Sequence, residues 1–116
     1  MNDTSNTPKL SALVVAHNEE SDLDACLASL AFADELVVVL DRCTDGSLDI
    51  ARAHNARIEE GAWEIEGHRR NLGIDICSGD WILEVDADER VSPALASEVR
   101  ETIAATPYGH FLIPYH

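Results

Sequence analysis

Apolar residues recur along this chain in short blocks separated by polar clusters. Residues 10–16, LSALVVA, are apolar and rich in β-branched side chains, the pattern of a buried strand. In the HNEESDLDACLASLA that follows, Leu23, Cys26, Leu27 and Leu30 fall at i, i+3, i+4 and i+7. That spacing predicts an amphipathic helix, and Ser21 with Asp24 resembles a capping box at its start. ELVVVL, residues 35–40, is apolar throughout and predicts a strand covered on both faces, as in a parallel sheet. Asp41 ends it. The turn-rich DRCTDGS leads into a helix from about Ser47 to His54, and ARIEEGA predicts a short third strand.

Residues 64–78 predict a helix with Ile65, Leu72 and Ile76 on one face, although Gly67 and Gly73 weaken it. Ser78-Gly79-Asp80 is a stop signal. WILEV, residues 81–85, is a fourth strand. Ser92-Pro93 suits a helix start, with serine at the cap and proline at the first helical position, and the helix should run to about Ala105. Pro107 and Gly109 break it, and FLIPYH begins another strand.

The order β-α-β-α-β-α-β-α-β predicts a Rossmann-like α/β fold, with a doubly wound, mostly parallel sheet. Residues 9–116 form its one domain, after a short flexible tail at 1–8. Ligands of such sheets bind beyond the carboxyl ends of the strands. Three polar segments should converge there: His17-Asn18-Glu19 after the first strand, Asp41 to Asp45 after the second, and Asp86 to Glu89 after the fourth.

Charge narrows the function. The chain of 116 residues has a net charge of −14, which excludes a nucleic-acid binder, since such a protein needs a basic face. No apolar run approaches the ~20 residues of a membrane span. The three cysteines have no zinc-ligand spacing and read as buried free thiols of a cytoplasmic protein.

In extended backbone, residues i and i+2 point the same way, so Asp86 and Asp88 can aim two carboxylates at one point. Mg²⁺ and Mn²⁺ favour oxygen ligands, and Mg²⁺ commonly takes one or two carboxylates plus substrate phosphates. The plain alternative for this D-x-D is a helix cap or a solvated turn before Ser92. Asp41 is either an acceptor for a base N–H or ribose hydroxyl, or a turn starter. Asn18 and Glu19 are pocket residues or helix-entry residues. Asp45-Gly46-Ser47 reads as a turn and cap. Arg69 and Arg70 either meet a diphosphate or base, or are solvated helix arginines. Cys43 has a packing role, since no histidine partner is spaced to activate it. Glu84, in a strand covered on both faces, would be buried and need a partner.

Together the segments resemble the inverting family-two glycosyltransferases with the GT-A fold. LSALVVAHNEE resembles that family's first strand and the N-E after it. VVVLDRCTDGS resembles its D-x-S-T-D-G-[ST] loop, with Cys43 at the usual serine and Ser47 at the usual threonine. HRRNLGIDICSGDWILEVDADER is similar to its R-N-x-G…G-D-[YW]-[IV]-x-x-x-D-A-D segment. FADELVVV and DADERVSP resemble most a bacterial subgroup that includes lipopolysaccharide-core β-1,4-glucosyltransferase-like proteins.

The resemblance implies a nucleotide-diphosphate sugar as donor, a UDP-sugar first among them, a divalent Mn²⁺ or Mg²⁺ as cofactor, and a glycan or lipid acceptor. Val15, His17, Asn18 and Glu19 would line the nucleotide pocket. Asp41 would bond the base, and Arg70 falls at the R-N position. Asp86 would serve the ribose or metal, and Asp88 would bind the metal that holds the diphosphate. Leu40 and Glu84 depart from the pattern, standing where a second Asp and an apolar residue are usual.

Family members run on into an acceptor-binding half that carries the general base, so the base is expected beyond His116 and the chain is expected to be truncated. The protein would act in the cytoplasm or at the periphery of the inner membrane. A donor-binding fragment without turnover is the alternative to an enzyme. An edge left by a strand cut short would favour self-association. A phospho-receiver domain also fits the length and alternation, but it needs a lysine after the fifth strand, and Lys9 is the only lysine.

Overall fold

The computed structural model describes residues 8–105 and 109–112. It forms one five-stranded sheet, in the order β3-β2-β1-β4-β5, with every pairing parallel. The strands are β1 (Leu10–Ala16), β2 (Glu35–Asp41), β3 (Arg57–Gly61), β4 (Trp81–Asp86) and β5 (Gly109–Leu112). The helices between them are α1 (Glu20–Ala28), α2 (Ser47–Ala53), α3 (Glu66–Ile76) and α4 (Pro93–Ala105). The predicted α/β order is therefore the observed one. The predicted tail lies almost wholly outside the described residues, as do Pro107 and the end of the predicted fifth strand.

The apolar strands are buried because helices cover both faces. Ala12, Val14, Val38, Leu40, Leu83 and Val85 face Leu23, Cys26 and Leu27 of α1, Ala51 of α2, and Val99 and Ile103 of α4 in the main core. On the opposite face, Leu13, Val37 and Val39 pack under α3 through Ile74 and Ile76, with Val15 and Trp63 alongside. Period-2 alternation puts successive residues of each strand into the two cores.

Two helix starts depart from the sequence reading. The predicted Ser21–Asp24 capping box does not form, because α1 already begins at Glu20 and its N-cap, Glu19, makes no side-chain cap bond. The Glu20 N–H donates instead to Asp45 Oδ2 at 3.1 Å, so the first turn is capped by the neighbouring loop. Ile65 does not join the buried face of α3. It is the N-cap residue, in extended backbone, and is 59% exposed. The α4 start forms as predicted, with the Leu95 N–H donating to Ser92 Oγ at 3.1 Å.

Gly73, the glycine that weakened the prediction of α3, is what lets the helix sit close to the sheet. A Cβ there would lie 2.6 Å from Leu13 Cδ1 and 3.1 Å from Val39 Cγ2. Those atoms would have to move, and α3 with them. Gly73→Val should therefore destabilise the fold by about 1–3 kcal/mol, the usual cost of overpacking. Urea melts followed by circular dichroism measure it.

Candidate functional site

The chain reverses its direction of travel across the sheet at β1, with β2 on one side and β4 on the other. Such sheets bind ligands beyond the carboxyl ends of the strands, at the point where strand order reverses. In the β1–β4 register Val15 stands opposite Asp86, so the loop carrying His17 to Glu19 and the loop carrying Asp88 flank that point. Val15 is half-buried, Asp86 and Asp88 are exposed, and Ala87 between them is buried. The extended backbone ends at Asp86, however: Ala87-Asp88 form a turn closed by the Glu89 N–H donating to the Asp86 carbonyl at 2.9 Å, with the apolar residue buried and both acids exposed.

The first two loops are bonded to each other. Asn18, in left-handed backbone at φ 52°, accepts from the Thr44 N–H through Oδ1 at 2.8 Å. The Asn18 N–H donates to Cys43 Sγ at 3.3 Å, and the Cys43 thiol reaches the Ala16 carbonyl at 3.5 Å. Glu20 Oε1 accepts from the Gly46 N–H at 3.1 Å. His17 Nδ1 lies 2.6 Å from the Asp41 carbonyl. A carbonyl only accepts, so Nδ1 carries the proton, which fixes the ring against β2. A shallow cleft of about 560 Å³ is lined by Asn18, Glu20, Ser21 and Asp45 in these same loops.

Asp41 is fully buried, with 0% of its side chain exposed. Its Oδ1 accepts from Arg42 Nε at 2.9 Å and from the Trp63 N–H at 3.2 Å. Its Oδ2 accepts from Arg42 Nη2 at 3.2 Å and from Arg69 Nη1 at 2.5 Å. Burial pushes this carboxyl up, but the bonds from Arg69, Arg42 and Trp63 outweigh burial and hold its pKa down at about 2. Arg70, the arginine expected at the site, pairs elsewhere: its Nε is 3.1 Å from Glu84 Oε1. That pair also supplies the partner that Glu84 needs, with its side chain only 12% exposed.

Sequence reasoning overlooked Arg42 and ranked Arg69 no higher than Arg70. The helical phase of α3 carried a signal. Arg69 lies four residues before Gly73 and seven before Ile76, on the stripe that meets the sheet.

Near β4 the electrostatics reverse. Burial, then the charges of Asp88 and Asp22, raise the Glu19 carboxyl above its ordinary value. Burial first, then Asp88 and Asp86, push the Cys26 thiol up to about 12, so Cys26 is an inert packing group beneath the Asp86 carbonyl, 3.5 Å away. Among the described residues no three His, Cys, Asp or Glu side chains gather as a metal cage. Two exposed carboxylates two residues apart, with Glu19 close enough to feel Asp88, do fit a hard divalent ion whose remaining ligands come from phosphate and water.

A parallel α/β sheet with acidic loops at its reversal point defines a Rossmann-like α/β class of domain. Within that class, residues 11–114 match the model of glycosyl transferase family 2, and the chain belongs to that family. The lipopolysaccharide core biosynthesis glycosyltransferase LpsC of Rhizobium meliloti is 30% identical over 102 residues, which are 84% of this chain and 38% of that protein. A crystal structure of TarS from S. aureus in complex with UDP is 26% identical, with a TM-score of 0.67, over 82% of this chain and 32% of that one. Glucosyl-3-phosphoglycerate synthase from Mycobacterium tuberculosis, solved with Mn²⁺, UDP and glucosyl-3-phosphoglycerate, shares the fold. It has a TM-score of 0.64 at 22% identity, over 74% of this chain and 37% of that one. The chain spans little more than a third of the length of the curated relatives it matches. The GT-A fold and the transferase family expected from the sequence are thus confirmed.

The Asp41 cluster yields a test in acid. With a folded pKa near 2 against about 3.9 when unfolded, Asp41 contributes stability that is complete above about pH 4. That stability is lost as pH falls through about 2. Asp41→Asn leaves two guanidinium groups without their carboxylate and should cost about 3 kcal/mol at pH 7. The deficit should shrink as wild type is acidified from pH 4 to 2, as urea melts across that range would show.

Proposed function

We propose that this chain is the donor-binding part of a glycosyltransferase that transfers a sugar, with inversion, from a nucleotide-diphosphate sugar to a glycan or lipid acceptor. The observation that carries the proposal is the convergence at one sheet edge. Glu19, Asp86 and Asp88 follow or end β1 and β4, the neighbouring strands at the reversal point, and Asp41 sits one strand away at the end of β2. The structure of the 26% identical TarS with UDP supports a uridine diphosphate donor. LpsC supports an acceptor of the lipopolysaccharide-core kind.

In this reading Val15, His17, Asn18 and Glu19 wall the nucleotide, and Asp41 receives the base. Asp86 and Asp88 would hold a divalent metal, Mn²⁺ or Mg²⁺. Bound there, such an ion supplies Lewis-acid stabilisation of the charge that develops on the leaving diphosphate. The chain's own part is to orient. The Asn18–Thr44 and His17–Asp41 bonds hold the nucleotide wall rigid, and rigid placement lowers the cost of aligning donor with acceptor. Arg70 is proposed to act through Glu84, keeping β4 neutral behind the metal ligands.

The relatives are about two and a half times as long as this chain, and the acceptor site and general base are assigned to that further length. A donor-binding unit that does not turn over by itself is therefore the second reading. No helix among the described residues is long and apolar enough to cross a membrane. A cytoplasmic setting beside the inner membrane suits a sugar-nucleotide donor with a lipid-borne acceptor. Self-association would use the β5 edge of the sheet.

Calorimetric titration with UDP tests the donor site. Mn²⁺ should tighten UDP binding at least about tenfold, or about 1.4 kcal/mol. Asp88→Ala should abolish that gain, and metal-free binding should not weaken, since one carboxylate that opposes the diphosphate is gone. Affinity indifferent both to Mn²⁺ and to Asp88→Ala sinks the proposed metal–diphosphate site.

A further inference from the structure

Asp41 lies where the proposed donor's base would be read, yet its carboxylate is already saturated. A carboxylate offers about four acceptor positions. Arg42 Nε and the Trp63 N–H occupy Oδ1, and Arg42 Nη2 and Arg69 Nη1 occupy Oδ2. An incoming N–H gains Asp41 only by displacing one of these donors.

The three donor residues are not held equally. Trp63 gives a backbone N–H, and its ring packs on Gly61, where an added Cβ would lie 2.5 Å from the ring. Arg69 descends from α3, with 17% of its side chain exposed. Arg42 is 51% exposed. Its backbone is left-handed at φ 52°, a conformation disfavoured for any residue with a branched-out side chain. That twist folds the guanidinium back onto the residue just before it. Arg42 is the donor most easily released.

We infer that Arg42 is a cap on Asp41: in the donor-free chain its guanidinium occupies the acceptor position that the nucleotide base takes, and it swings out when the donor binds. The inference rests on the reading of Asp41 as the base contact. Uracil carries a hydrogen on N3 and can take the guanidinium's place on the carboxylate. Cytosine N3 is an acceptor with no hydrogen to give, which leaves only its 4-amino group as a donor to Asp41. Each binding event then exchanges a charge-assisted pair for a neutral-donor bond, which weakens affinity for the correct base but leaves Asp41 covered when no base is present.

The test compares UDP and CDP, each with Mn²⁺, on wild type and on Arg42→Gly, Arg42→Asn and Arg42→Lys. Glycine and asparagine both suit a positive φ and keep the backbone. Both variants should bind UDP about tenfold more tightly than wild type, with a smaller gain for CDP. Arg42→Lys, which keeps the charge but loses the two-pronged fork, should fall between. If wild type binds UDP and neither Arg42→Gly nor Arg42→Asn binds it more tightly, the cap alone is overturned. If CDP tightens as much as UDP, the contact of Asp41 with uracil N3 is overturned. Unfolding of both variants in circular dichroism would make Arg42 a structural staple and also overturn the cap. If no form binds UDP, the donor-site reading falls and the cap with it.

Discussion

A buried carboxylate needs cations, and the site end of this fold is organised by that requirement. Asp41 sits at the end of a central strand with none of its side chain in water. An isolated charge in such a place is prohibitively costly, whereas one with several hydrogen bonds from cationic groups is tolerated. Its donors come from three separate places: the residue after β2, the segment between β3 and α3, and α3 itself. The carboxylate therefore ties the helix on the second face of the sheet to the strand on which it rests. The apolar contact through Gly73 sets the distance between them, and the Arg69 bond fixes how α3 ends near the carboxyl edge.

The same edge depends on loops that use one another's side chains. Asp45 caps α1, Glu20 bonds the backbone before α2, and Asn18 bonds the backbone at Thr44. Neither N-cap residue makes a side-chain bond. Asp45 accepts locally from the Ser47 N–H at 3.0 Å and also reaches across the gap between β1 and β2 to the first turn of α1, so the two helix starts share one carboxylate. The two loops consequently form one rigid wall. A nucleotide pocket requires such a wall, because a base held against mobile loops pays their ordering on binding.

The strands and most helices were legible because burial imposes periodicity. Continuous apolar runs gave β1 and β2, and the i, i+3, i+4 spacing gave α1. Less was legible where the deciding partner was distant in sequence. Ser21 looked like a cap because the sequence could not show Asp45 reaching Glu20. Ile65 looked buried because a helix extended backward by one residue would have turned it inward. The acids at 41, 86 and 88 were read correctly as lying at one edge, which follows from topology alone. The arginines were not resolved. Arg69 and Arg70 are adjacent, and about 100° of helical phase separates a bond to Asp41 from a bond to Glu84. Arg42 was invisible, because its position depends on a backbone twist that no pattern of residue types announces.

Two acidic neighbourhoods on one edge solve the same problem in opposite ways. At β2 the charge is cancelled within the chain by two guanidinium groups, and the Asp41 carboxyl is held far below its ordinary range. At β4 burial, then the charges of Asp88 and Asp22, raise the Glu19 carboxyl instead. Repulsion left in place between carboxylates stores free energy that an entering cation releases. A sheet edge with one neutralised acid and one group still repelling is thus asymmetric toward a ligand. The neutral end suits a base, an uncharged group that needs hydrogen bonds. The repelling end suits a diphosphate only when a divalent ion accompanies it, because the anions of ligand and protein would otherwise oppose each other.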